Sequence, residues 1–222
     1  PQVWLTFDDG PSDDTPALLA ELERHGARAT FFLVGQRAAA RPDLVRAILA
    51  GGHGIGNHSD SHPAGGFWAL PPARMAAQIE RAQARLTALS GVAPRWFRAV
   101  AGHANPGVAP ALARLGLVRV SWSGRGLETV DGSDARVMAR LRRAIVPGAI
   151  LTLHEGLAPG RSARLLAGLL QALDQRGYRT VLPDDGVATT SQLLNGVRPH
   201  SGENVDARPS PASSAARPSR VG

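Results

Sequence analysis

Short apolar runs rich in β-branched and aromatic residues alternate along the chain with segments whose apolar positions recur at helical spacing. Strands are predicted at Val3 to Phe7, Ala29 to Val34, His53 to Asn57, Arg95 to Arg98, Val118 to Trp122, Ala149 to Leu153 and Tyr178 to Leu182. Between them, "DDTPALLAELERHG" places Pro16 near the first helical position, lines up Leu18, Leu19 and Leu22, and stops at Gly26. "RPDLVRAILAGG" starts at Pro42 and stops at Gly51 and Gly52. "PPARMAAQIERAQARLTALSG" is the longest helical pattern, with Met75, Ile79, Leu86 and Leu89 on its apolar face. Further helices are predicted around Val108 to Leu115, Asp134 to Ile145 and Arg161 to Arg176.

Seven alternations of strand and helix imply parallel strands with crossover helices, in a barrel or in an open doubly wound sheet. Neither a G-x-G-x-x-G nor a Walker loop follows the first strand, which removes the best support for a nucleotide-binding sheet. A barrel, irregular if need be, is the preferred α/β form. After Leu194, Pro, Ser, Ala, Gly and Arg dominate and apolar periodicity disappears. Residues 1–195 therefore read as one folded domain and 196–222 as a disordered tail. No internal repeat is visible.

Composition changes this picture little. The 222 residues are 43% hydrophobic and 19% charged, ordinary for a globular protein with a sizeable core. All 25 basic residues are Arg, which reads as a base-composition bias in the coding DNA, so the net charge of +7 is discounted. The arginines are scattered, aromatics are 5%, and no nucleic-acid motif occurs, so a nucleic-acid partner is set aside. Attraction to an anionic polymer or envelope surface stays open. Without cysteine there is no disulfide and no thiolate metal site. No 18-residue apolar run reads as a membrane span and no basic-then-apolar leader as a signal peptide. The chain starts at Pro1 and runs almost directly into a strand, so a trimmed leader or upstream domain stays open.

The chemistry is concentrated at predicted strand ends. "TFDDG" sets two adjacent carboxylates, Asp8 and Asp9, at the end of the first strand, where burial and mutual repulsion both penalise their charge. A nearby cation would offset that. "GIGNHSDSHP", after the third strand, holds His58 and His62 four residues apart, a spacing that on one helical turn lets both imidazoles reach one ion. Two histidines at this spacing in a polar loop face solvent more often than metal. Position shifts the balance, because Arg98 ends the fourth strand and His154 the sixth, and in parallel barrels those ends form the face where active sites are built.

On these residues the chain resembles the polysaccharide deacetylase family, also called NodB-homology or chitooligosaccharide-deacetylase-like. "TFDDG" matches its first motif and "HSDSH" its H-[ST]-x-x-H motif, while "WFRAVAG" partly matches the third, F-R-P-P-x-G, and "LTLH" matches the last. The resemblance implies a distorted (β/α) barrel of about seven parallel strands and metal-dependent hydrolysis of N-acetyl groups on the amino sugars of a polysaccharide or oligosaccharide. It implies a divalent metal, usually Zn²⁺, on Asp9, His58 and His62. Asp8 would be the general base, Arg98 would hold Asp8, His154 would protonate the leaving amine, and the backbone N–H of Ala101 would help bind the oxyanion. Trp122 and Leu151 either line a small pocket for the acetyl methyl or pack the core. An envelope, periplasmic or secreted location fits the resemblance, with the cytoplasm left open.

Three departures qualify it. Ala99 and Val100 stand in place of the two prolines, and Ala101 in place of the aromatic of the groove wall. In "WSGRGLET", Arg125 and Glu128 stand where the usual fourth motif has two Asp, so Glu128 is the candidate support for His154. "GHANPG" adds His103 and Asn105, where substrate groups could be met. These departures keep other readings in view: a deacylase or deformylase of a lipid-linked or small amino sugar, a carbohydrate O-acetyl esterase, or a non-catalytic glycan-binding relative.

Overall fold

The structure, a computed structural model, describes residues 1–103 and 105–183. The expected tail, 196–222, lies outside the described residues. The elements run β1 (Gln2–Gly10), α1 (Thr15–Arg24), β2 (Thr30–Leu33), α2 (Gly35–Ala40), α3 (Pro42–Ala50), β3 (Gly54–Asn57), α4 (Pro72–Ser90), β4 (Trp96–Phe97), α5 (Val108–Leu115), β5 (Val118–Arg119), β6 (Gly124–Arg125), α6 (Asp134–Ala144), β7 (Ile150–His154), α7 (Arg161–Gln175) and β8 (Arg179–Thr180). Short 3-10 turns occupy Phe67–Ala69 and Val100–Gly102.

All strand pairs are parallel, in the order β5-β4-β3-β2-β1-β7-β6, and β8 pairs with the first residues of β1. The sheet curls into a half-barrel, and among the described residues no ladder joins β5 to β6. The expected distorted barrel of about seven parallel strands in a single domain is therefore found. Two short elements escaped prediction. The sequence "GQRAAA" of α2 carries no large apolar stripe, and β6 is a two-residue edge strand.

Alternation along the two central strands builds the layers. Val3, Leu5 and Phe7 of β1, with Leu151 and Leu153 of β7, face the helices and join the main core with Leu18, Leu22 and Leu166. On the opposite face the register pairs Trp4 with Ile150, Thr6 with Thr152, and Asp8 with His154. Trp4 and Ile150 pack with Phe32, Trp96 and Val120 to plug the floor of the half-barrel, Trp4 meeting Trp96 edge-on at 5.2 Å between ring centres. Trp4 Nε1 donates to Thr30 Oγ1 at 2.8 Å, so its buried indole N–H is paired. Above it comes a polar layer, and above that, at the C-terminal strand ends, the charged residues.

Candidate active site

Adjacent side chains on a regular strand point to opposite faces. Asp8 and Asp9 escape that rule because β1 bulges between them: Asp8 pairs with Phe32, but Gly10 pairs with Leu33, and Asp9 takes a left-handed backbone with φ 72°. Both carboxylates consequently line one cavity of about 430 Å³, shared with His58, His62, Ala101, Trp122 and His154. Arg37 of α2 donates to the Asp9 carbonyl and braces the bulge.

Buried Asp8 is held from below. Arg98, fully buried, donates from Nη1 to Asp8 Oδ1 at 2.8 Å, to Thr6 Oγ1 at 2.8 Å and to Thr152 Oγ1 at 3.0 Å, and from Nη2 to the Ser121 carbonyl at 3.0 Å. Its guanidinium also stacks 4.1 Å over the Phe32 ring. The pairing leaves Asp8 Oδ2 free to face His154 Nε2 at 4.0 Å.

The two histidines do not share a helical turn, as the spacing had suggested. Residues 58–62 form a loop with Ser59 at φ 68° and His62 at φ 51°. Ser59 N–H donates to Asn57 Oδ1, His62 N–H donates to Ser59 Oγ, and buried Asp60 anchors the loop to Arg81 and Arg85 of α4. The loop brings His58 Nε2 to 3.3 Å and His62 Nε2 to 2.8 Å from Asp9 Oδ1. His58 Nδ1 lies 2.9 Å from the Arg98 carbonyl, which fixes the proton on Nδ1 and leaves Nε2 its lone pair.

Those three ligand atoms lie within 4.8 Å of one another. Asp9 Oδ1 is buried yet makes no hydrogen bond of good geometry, although both imidazole Nε2 atoms lie close to it. Two imidazoles and one carboxylate so arranged fit a divalent cation and leave a coordination position open. Burial pushes the Asp9 carboxyl up, but the two histidines outweigh it and hold the group well below the usual carboxylate range.

His154 ends β7 with Nδ1 2.8 Å from Glu128 Oε1, and Glu128 is buried. Burial pushes the imidazole down, while the Glu128 hydrogen bond and the charges of Asp8, Glu128 and Asp9 raise it, and the net shift is upward. Arg161 holds the carbonyl of Glu128 at 2.7 Å, fixing the loop that presents it.

Ala101, at φ 53°, and half-buried Trp122 line the cavity wall, and exposed His103 sits at its rim. Asn105 instead ties its own loop to the Trp68 and Leu70 carbonyls. Of the two readings of Leu151, it takes core packing rather than pocket lining: it is fully buried on the helix-facing side of β7, one residue out of phase with Thr152 and His154.

Glu155 was not singled out from sequence, although it directly follows His154. It is buried behind the bulge, where Oε2 accepts from Ser12 N–H at 3.2 Å, from Ser12 Oγ at 3.0 Å and from Thr15 Oγ1. A Cβ at Gly10 would come within 2.0 Å of Glu155 Oε1, so a larger residue there would displace this carboxyl from its present place. Burial raises its pKa from 4.5 to about 7, against the Thr15 and Ser12 hydrogen bonds. The folded-state value lies above the unfolded one, so its contribution is full below pH 4.5 and is lost as pH rises through about 7. Glu155→Gln, which cannot ionise, is expected to match the wild type near pH ~4 and exceed it above pH ~8, by up to roughly 3 kcal/mol. Thermal midpoints of both proteins across that range check this, and parallel pH profiles would refute it.

Comparison with known proteins places these features in context. A family model described as polysaccharide deacetylase matches residues 1–120. The chain is 34% identical over 190 residues to a chitooligosaccharide deacetylase of Bradyrhizobium sp., covering 79% of this chain and 86% of that protein. It is 32% identical over 178 residues to a peptidoglycan-N-acetylglucosamine deacetylase of Bacillus cereus, covering 78% of this chain and 61% of the relative. A family 4 carbohydrate esterase from Streptomyces lividans, solved in complex with acetate, superposes with a TM-score of 0.75 at 32% identity, over 82% of this chain and 92% of the other.

Proposed function

The chain belongs to the polysaccharide deacetylase family, and from that premise we propose that it hydrolyses N-acetyl groups on amino sugars of a glycan, using a divalent cation held by Asp9, His58 and His62. The observation that carries the reading is the pair Asp8 and His154, facing each other at 4.0 Å beside the cluster of Asp9, His58 and His62. The names of the chitooligosaccharide and peptidoglycan relatives support an N-acetylated sugar as substrate.

Amide hydrolysis needs a polarised carbonyl, a nucleophilic water and a proton for the leaving nitrogen. A cation such as Zn²⁺, when bound, supplies the first and brings the pKa of a water toward about 7. The remaining steps fall to the chain. Asp8, its other oxygen occupied by Arg98, takes the proton from the attacking water through Oδ2. His154, charged because Glu128 and the nearby carboxylates favour the imidazolium, gives a proton to the departing amine from Nε2. Each such transfer contributes roughly 10²- to 10⁴-fold. The backbone of Ala101, at the cavity wall, is the candidate donor to the developing oxyanion.

The direct test incubates the protein with Zn²⁺ and N-acetylglucosamine oligomers and counts acetate and free amine. Equal amounts of both, abolished by a chelator and restored by metal, are expected. Cleavage of acetylated xylan alone, with no amine formed from any acetylated amino sugar, would replace the reading with an O-acetyl esterase.

A further inference from the structure

Strand β6 borders the open side of the half-barrel, and its two residues look opposite ways. Gly124 faces α6, where an added Cβ would come within 2.3 Å of the Ala144 Cβ, so glycine lets the helix sit directly against the strand. Arg125, in register with Thr152, lies on the same side as the polar layer of the half-barrel. The close approach at Gly124 brings Arg140 and Arg143 of α6 into one open groove of about 550 Å³ with Arg125 and Trp122. Trp122 and Arg125 also line the cavity that holds Asp8 and His154, so cavity and groove meet at a single wall.

The charges in this groove are unevenly matched. Arg140 shares Asp131, 2.7 Å away, with Arg136 and donates to the Gly126 carbonyl at 2.9 Å. Arg125 and Arg143 are exposed, and among the described residues neither has an acidic partner. The Arg125 guanidinium is steadied 5.1 Å over the Trp122 ring, whose indole also lies 5.9 Å from buried Arg98. Two cations are thus set along one groove with no internal counterion, one of them oriented by an aromatic wall of the reaction cavity. A guanidinium fork matches the two oxygens of a carboxylate or phosphate, and two such charges concentrate anions locally.

We propose that Arg125 and Arg143 form an anion subsite, which selects glycans carrying a carboxylate or phosphate on a unit next to the one deacetylated. This rests on the deacetylase reading and narrows its substrate class.

The experiment compares four oligosaccharides of equal length: a neutral N-acetylglucosamine oligomer, one alternating N-acetylglucosamine with N-acetylmuramic acid, the methyl ester of the latter, and a phosphate-bearing N-acetylglucosamine oligomer. For the wild type, kcat/KM is expected to favour the free carboxylate or the phosphate over the neutral oligomer and the ester. Arg125→Gln and Arg143→Gln should each lower that anionic-to-neutral ratio by roughly tenfold, mainly through KM, with the gap shrinking as salt is added. An unchanged ratio in both variants, or equal loss on charged and neutral substrates, would overturn the subsite. If the wild type turns over none of the four, the deacetylase reading fails, and calorimetric binding of the carboxylate oligomer against its ester decides the subsite separately. Preference for the acid that disappears in both variants supports it, and equal binding of acid and ester overturns it.

Discussion

Asp8→Asn is expected to lower kcat by roughly 10²- to 10⁴-fold while the protein still binds its divalent ion. Asparagine has nearly the shape of aspartate and its Oδ1 can keep accepting from Arg98, but its amide cannot take a proton from water. The ligand atoms on Asp9, His58 and His62 are untouched, so metal content by elemental analysis should not change. The substitution also removes the counterion of a fully buried guanidinium, and breaking a buried pair costs about 3–5 kcal/mol. Thermal unfolding must therefore accompany the kinetics. A folded, metal-loaded variant of full activity would show that the base lies elsewhere.

The second large effect concerns the ion itself. Wild-type protein incubated with Zn²⁺ and dialysed is expected to keep about one ion per chain, as a three-ligand site with an open position should. His58→Ala and His62→Ala should lose it, and activity should fall by more than the roughly 10- to 100-fold typical of losing a group that merely orients a ligand. His58 tests the geometry more sharply. Its Nδ1 is committed to the Arg98 carbonyl, so His58→Gln can imitate the bond to the backbone only by turning away from Asp9. Retention of the ion in both alanine variants would refute the assigned ligands.

The periodic elements were legible because burial dictates them. Every long helix and the two central strands follow from apolar spacing, and the helices starting at Thr15, Pro42 and Pro72 follow from their prolines. The short strands β4, β5 and β8 shrank to two residues each, since strand ends are set by pairing partners that no local window contains. At the site, residue types were legible and backbone was not. Nothing local in "TFDDG" announces the bulge that turns Asp9 toward Asp8. Nothing in "NHSDSH" announces a loop rather than a helical turn. Glu155 could have been found from the oddity of Glu directly after a buried strand, but its partners, Ser12 and Thr15, lie 140 or more residues away.

Among the described residues, five other than glycine hold left-handed backbones: Asp9, Ser59, His62, Ala101 and Leu127. Four of them line the reaction cavity, and the fifth, Ser59, props His62 from behind. Such a conformation costs an ordinary residue roughly 1 kcal/mol or more, so together they consume an appreciable part of the 5–15 kcal/mol that separates a typical domain from its unfolded chain. Glycine would relieve the cost at each position, but at Asp9 and His62 it would delete a proposed ligand, and at Ser59 the hydroxyl that steadies His62. Durability and reactivity therefore draw on the same reserve at Asp9, Ser59 and His62, and gains in heat resistance must come from other positions, the helical shell or buried Glu155 among them.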